Sequence, residues 1–164
     1  MANNEFKIGQ STDIHPLKKG RRLMIGGVEI EHYQGLDGHS DADVLTHAIA
    51  EAIIGALGKG DLGKHFPDTD DKWKDCDSLG ILAEVSEMMQ ADNYEIGNID
   101  ALVIIEKPKL SPYIEKMRGN IAKILDCEVE LVNIKATRGE GLGIVGEEKG
   151  VIAQAIVLLR GKGK

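Results

Sequence analysis

Aromatic side chains are scarce. Phe, Tyr and Trp make up 4% of the 164 residues, so a core has to rest on Ile, Leu, Val, Ala and Met, and a hydrophobic content of 42% is enough to build one. Cysteine is scarcer still. Cys76 and Cys127 stand far apart with no CxxC spacing, which argues against a disulfide framework and fits a reducing cytoplasm. Basic residues are in deficit, 20 against 27 acidic, giving a formal charge of −7. Non-specific nucleic-acid binding needs the opposite balance, so nucleic acid is not an expected partner. No run approaches the roughly 18 apolar residues of a membrane span, and the N-terminal MANNEFKIG has no apolar signal core. Internal repeats and low-complexity linkers are missing too. The chain is expected to be soluble and cytoplasmic, one domain over residues 1–164.

Apolar periodicity divides the chain into elements. Residues 5–15 (EFKIGQSTDIH) read as a strand fraying into a site loop, and 22–31 (RLMIGGVEIE) as two short strands around Gly26-Gly27, a hairpin signal. From Asp41 to Leu57 apolar residues recur in pairs four apart, the stripe of a helix. Ser40 reads as its N-cap with Asp43 at capping-box spacing, and Gly58 as its end. Residues 59–76 read as a loop. A second helix is expected from Ser78 to about Ala91, burying Leu79, Leu82, Val85 and Met89. A third is expected to start at Ser111-Pro112, burying Ile114, Met117, Ile121 and Ile124. Residues 95–105, 129–136 and 151–159 read as strands, with a Gly-rich stretch at 138–150 before the last. This order predicts an α+β fold, a mixed β-sheet with helices packed on one face. The last strand (VIAQAIVLL) is apolar on both faces, so the far face of the sheet also needs cover. No chain is left over to supply it, which predicts an oligomer.

The chemistry-bearing residues are spread along the chain. In Asp13-Ile14-His15 the alternation of an extended chain projects a carboxylate and an imidazole to one side, suiting two ligands of one metal or equally a solvated strand edge. His47, in the first helix, is either a half-buried histidine with satisfied nitrogens or a third ligand. Three ligands of this type leave a fourth position of zinc open to substrate, the catalytic pattern. Ser40 at a helix start lies beside free backbone N–H groups able to hold a phosphate. The loop Gly60-Asp61-Leu62-Gly63 to Phe66-Pro67-Asp68-Thr69-Asp70 is dense in carboxylates, as solvated turns are and as groups awaiting polyol hydroxyls would be. Glu140, between glycines, is either exposed or a ligand of a hard cation such as Mg2+ shared with substrate phosphates. Lys109 places a cation near the third helix. No Ser-His-acid or Cys-His spacing stands out, as expected if the substrate carries its own nucleophile. The reading these residues favour is a metal-dependent phosphoryl-transfer enzyme. The negative charge then requires metal ions or local cations to admit a phosphorylated substrate.

Taken together, the motifs resemble the 2-C-methyl-D-erythritol 2,4-cyclodiphosphate synthases of the non-mevalonate isoprenoid pathway. The resemblance runs from about residue 7 to 160 and rests on DIH at 13–15, HSDADVLTH at 39–47, GDLGKHFPDTD at 60–70, PKL at 108–110 and KAT…E at 135–140. It implies a homotrimer with sheets facing a central axis and active sites at subunit interfaces. It implies Zn2+ (or Mn2+) on Asp13, His15 and His47, and Mg2+ or Mn2+ on Glu140 with the substrate phosphates. By the same resemblance His39 and Ser40 lie near the phosphates, Asp61 and Gly63 near the erythritol moiety, and Asp68 is a further substrate-binding residue. Lys109, Ala136 and Thr137 match the cytidine-nucleotide pocket, completed by a neighbouring subunit. Arg138 stands where the family usually has Thr or Ser, and can bind phosphate directly. The implied activity is that of a phosphorus-oxygen lyase. A 2-phosphate attacks the β-phosphorus of the cytidine diphosphate ester and CMP leaves. Two other readings share these residues: a metal-dependent phosphohydrolase using water, and a non-catalytic trimeric module that binds metal and nucleotide.

Overall fold

The computed structural model describes residues 5–38, 40–67 and 76–163. Its centre is a five-stranded mixed sheet in the order β4-β1-β7-β5-β6. The long strands are β1 (Phe6–Lys19), β5 (Tyr94–Ile104) and β7 (Gly150–Gly161), with the shorter β4 (Gln34–Leu36) and β6 (Val132–Thr137) at the edges. The pair β5–β6 is parallel and the others are antiparallel, so the sheet is mixed as expected. Strand β1 does not fray at the site. It continues to Lys19, because β7 pairs with it from Phe6 through Pro16 and β4 takes over at Leu17. The expected hairpin forms as β2 (Leu23–Ile25) and β3 (Val28–Ile30). Gly26 and Gly27 both have positive φ, +59° and +68°, which the turn between two-residue-linked strands demands and only glycine meets cheaply.

Helices α1 (Val44–Ala56), α3 (Ser78–Ala91) and α4 (Ile114–Leu125) cover one face. Helix α1 lies on β1 and β7 with α3 outside it, so it is buried nearly all round rather than along a stripe; Glu51 and Gly55 are its exceptions. Its start corrects the sequence reading: the N-cap is Asp43, not Ser40. Ala42 sits at φ +56°, outside helical space, so the helix cannot begin before it. Asp43 also outcompetes Ser40. Its fully buried carboxylate accepts from Thr46 N (3.0 Å) and Thr46 Oγ1 (2.8 Å), and from Gly26 N (2.9 Å) and Gly27 N (2.7 Å) of the hairpin turn. One side chain thus caps a helix and holds a hairpin to it. Gly58, at φ +72°, follows the helix end as expected.

Other boundaries shift. The 59–76 loop contains a short helix, α2 (Leu62–His65), and the Gly-rich stretch contains α5 (Gly143–Gly146). Helix α4 starts at Ile114, three residues after Ser111, since 111–113 form a turn and Tyr113 offers no side-chain cap. Residues 129–131 form a single 3-10 turn before β6. Leu79, Ile114 and Ile124 are only half-buried, while Leu82, Val85, Met89, Met117 and Ile121 are in the core. No helix among the described residues is long and apolar enough to cross a membrane.

The sheet's other face is open in the single chain. Along β7, Val151, Ala153, Ala155, Val157 and Leu159 are buried under the helices, while Ile156 on the far side is 53% exposed. Ile8 and Ile14 of β1 share that far side at 72% and 51%. This is the doubly apolar strand the sequence predicts.

Candidate metal centre and nucleotide pocket

Strand alternation and one helix turn build the first half of the site. Asp13 and His15 point from β1 to the helix side, where α1 lays His47 over them. His15 Nε2 lies 3.0 Å from Asp13 Oδ2, and His47 Nδ1 lies 3.3 Å from both. These are one group of ligand atoms able to hold a metal ion. The hydrogen bond on the outer side of the His15 ring assigns its tautomer. His15 Nδ1 sits 3.1 Å from the carbonyl oxygen of Asp37, which can only accept, so Nδ1 carries the proton and Nε2 faces inward bare. His47 Nε2 meets Ser78 Oγ at 2.9 Å and Ser40 Oγ at 3.2 Å, leaving Nδ1 as the inward nitrogen.

Two imidazole nitrogens and one carboxylate oxygen therefore converge on one point. Asp13 Oδ2 is buried and receives no hydrogen bond among the described residues. A buried carboxylate oxygen without a donor is costly unless a cation sits there. A divalent metal fits this donor set, two imidazole nitrogens and one carboxylate oxygen. The titration directions agree. Burial pushes the Asp13 carboxyl up, but contacts with His15 and His47 outweigh it and hold the carboxyl far below the ordinary range. Burial pulls the His15 imidazole down, yet the Asp13 carboxylate beside it favours the protonated ring and the net shift is upward. The centre attracts positive charge.

Arg21 braces this half from behind. Its guanidinium donates to the carbonyl oxygens of Leu36 (3.2 Å), Gly38 (3.1 Å) and Ser40 (3.2 Å), fixing the segment that presents Asp37 to His15. Gly38 packs so tightly that a Cβ there would come within 3.0 Å of the His15 ring. One turn further along α1, Glu51 accepts from Ser11 Oγ (2.5 Å) and from Leu62 N (3.3 Å), anchoring α2 beside the centre. Asp61 caps α2 by accepting from Lys64 N at 2.9 Å, and Gly63 lies in that helix. His39 and Asp68 lie outside the described residues.

The second half is a pocket of about 540 Å³ between the β5–α4 connection (105–111) and the end of β6. Lys109, Ala136, Thr137 and Arg138 all line it, with Lys107 as a further cation. The Lys107-Pro108 peptide is cis. Gly139 N donates to Glu106 Oε2 (2.9 Å) and Ile105 N to Thr137 O (3.0 Å), closing the pocket floor. Glu140 is exposed beside this half, its nearest cation being Arg138 at 3.8 Å. The sheet register aligns Asp13 with Ala153, Val103 and Ala136, so three strand spacings separate the halves, about 14 Å. A single chain brings the metal ligands together and the nucleotide-pocket residues together, but not the one set to the other.

The YgbB family model matches residues 6–160. The chain belongs to the YgbB family. Among curated relatives, the 2-C-methyl-D-erythritol 2,4-cyclodiphosphate synthase of Geobacillus sp. (strain WCH70) is 54% identical over 96% of this chain and 99% of its own. Among solved structures, IspF of Plasmodium falciparum, determined as a CDP complex, is 34% identical with a TM-score of 0.85, covering 97% of this chain and 98% of that one. The bifunctional IspDF of Campylobacter jejuni is 37% identical with a TM-score of 0.94; the match covers 98% of this chain but only 44% of that longer one. The motif resemblance is thus to the right family, and the mixed sheet with its helices is the fold of these YgbB relatives. Sequence reasoning missed Arg21, Asp37, Glu51, Asp41 and Ser78. They act by backbone contact or through another side chain, and no local spacing marks them.

Proposed function

We propose that this chain converts 4-diphosphocytidyl-2-C-methyl-D-erythritol 2-phosphate into 2-C-methyl-D-erythritol 2,4-cyclodiphosphate and CMP. The observation that carries the reading is the convergence of Asp13, His15 and His47 on one buried point, in a chain of the YgbB family. A 2-phosphate oxygen forms the new bond to the β-phosphorus, the bond to the α-phosphate oxygen breaks, and CMP leaves with the electron pair. The nucleophile is already an anion, so the protein need not supply a base, and its task is positioning and charge neutralisation. When bound, Zn2+ (or Mn2+) on Asp13, His15 and His47 polarises phosphate oxygens, and Mg2+ or Mn2+ on Glu140 offsets their charge. Ser40 contacts the phosphates from the metal half, and the motif makes His39 a further phosphate contact. Asp61 and Gly63 hold the erythritol hydroxyls near α2, and the motif makes Asp68 a further substrate-binding residue. Lys109, Ala136, Thr137 and Arg138 take the nucleotide and its phosphates, and these cations admit an anion to a chain of charge −7.

The separation of the two halves and the open apolar sheet face together support a homotrimer, and the sparse cysteine usage supports a cytoplasmic setting. Its sheets meet at the axis and the metal half of one subunit faces the nucleotide half of the next. CMP release from the cytidyl substrate tests the reading, with phosphorus NMR of the product. A cyclic diphosphate formed only with metal present is expected. A linear phosphate would indicate hydrolysis by water instead, zinc and CMP binding without turnover a non-catalytic module, and turnover indifferent to chelator would remove the metal from the account. For His47→Ala we expect lost zinc and lost CMP release with the assembly intact, read by metal analysis and light scattering. Unchanged zinc content would exclude His47 as a ligand.

A further inference from the structure

His47 aims its two ring nitrogens at different partners, and a neutral imidazole carries one proton between them. Only a bare nitrogen ligates a cation, so whatever sits at Nε2 decides whether Nδ1 can bind. Nearest is Ser78 Oγ at 2.9 Å. The Ser78 hydroxyl itself donates to Asp41 Oδ1 in a very close contact. A carboxylate outcompetes a neutral imidazole for that proton, so the lone pairs of Ser78 are left toward His47. The carboxylate is fixed at its other oxygen, where Oδ2 accepts from Ser78 N at 3.2 Å, and Asp41 N donates to Cys76 O at 3.2 Å. Ser78 is fully buried. It is also not consumed in capping α3, because Asp77 accepts from Leu79 N at 2.9 Å and fills that role. Ser40 Oγ, the other neighbour of Nε2 and farther from it at 3.2 Å, accepts from Ala42 N at 3.1 Å.

We infer that Asp41 and Ser78 are positioning residues for the metal centre: the Asp41 carboxylate turns the Ser78 hydroxyl so that it accepts the Nε2 proton of His47 and keeps Nδ1 bare toward Asp13 and His15. This deepens the reading of those three residues as a divalent-metal site and rests on it. It also ties the start of α3 to a ligand on α1, so the pose of His47 is set from outside its own helix. An outer partner of this kind is typically worth 10–100-fold in metal affinity.

Two measurements test it. Nitrogen-15 NMR of the histidines in the metal-free wild type, above the imidazole titration range, is expected to show His47 as the Nε2–H tautomer. Zinc affinity by competition with a chromophoric chelator is expected to fall about 10-fold or more in Ser78→Ala, with a smaller loss in Asp41→Asn. The His47 signals of Ser78→Ala are expected to turn to a tautomer mixture, a change that a purely structural serine would not cause. An Nδ1–H tautomer in the wild type overturns the inference, as does a Ser78→Ala affinity within about twofold of wild type. Should Ser78→Ala not fold, the wild-type tautomer and Asp41→Asn decide. Wild-type protein that takes up no zinc, or His47→Ala that takes it up equally well, marks failure of the metal-site reading itself.

Discussion

At the residue scale, single buried carboxylates tie together elements distant along the chain. Asp43 is the clearest case, with four donors from a helix start and a hairpin turn on one buried carboxylate. Removing it orphans buried N–H groups as well as a cap, at roughly 1 kcal/mol or more each. Asp43→Ala is expected to cost about 3 kcal/mol or more, read from the denaturant midpoint. Asp43→Asn is expected to lose less but not to match wild type, since its amide turns a donor toward donors. Cys127 makes a second residue-scale prediction. Burial, with the carboxylates of Asp126 and Glu128 adding, pushes its thiol up from about 9 to about 11. The fold therefore favours the neutral thiol. That contribution is complete below about pH 9 and is lost as pH rises through 11. Alkylation of Cys127 at pH 8 is expected to be slow, and Cys127→Ala to lose less stability than wild type between pH 9 and 11. Fast labelling of Cys127 at pH 8 would contradict this.

At the element scale, the site depends on how closely β1 lies against α1. Gly9 permits the approach, because a Cβ there would overlap the carbonyl oxygen of Ala52, and backbone cannot yield as a flexible side chain can. Both elements carry members of the candidate metal group, Asp13 and His15 on one and His47 on the other. Gly9→Ala is expected to destabilise by about 2–4 kcal/mol and to weaken zinc binding, because the strand must lift away from the helix. A thermal midpoint unchanged from wild type would show that β1 has slack there. The pinning of α2 through Glu51 works in the same way, with one carboxylate joining β1, α1 and α2.

At the scale of the whole molecule, the open sheet face and the divided site make the same demand. Ile156 is 53% exposed at the middle of that face, and burying such side chains is worth about 1.5–3 kcal/mol each. Ile156→Asp places a charge where a neighbouring subunit would seat. We expect it to sediment as a folded monomer that still binds zinc, because all three ligands come from one chain, but that no longer releases CMP. Retained trimer mass with retained activity would move the interface elsewhere.

The sequence alone determined what is written at short period. Runs of β-forming residues predict β1, β5 and β7, and the four-residue spacing of apolar residues predicts α1. The i, i+2 spacing of Asp13 and His15 predicts that the two point together. Composition excluded a disulfide framework, and the collinear motifs led to the family. Tertiary structure decided whatever depends on competition between partners distant along the chain. His47 meets His15 across 32 residues only because β1 packs on α1. Asp43 displaces Ser40 as cap because a hairpin turn and the φ of Ala42 weigh on that choice. Ser78 meets His47 Nε2 across 31 residues, with its hydroxyl given to a carboxylate 37 residues away. Propensity and spacing act over a turn or a pleat, whereas caps, tautomers and ligand sets are settled by which acceptor lies nearest once the core has closed.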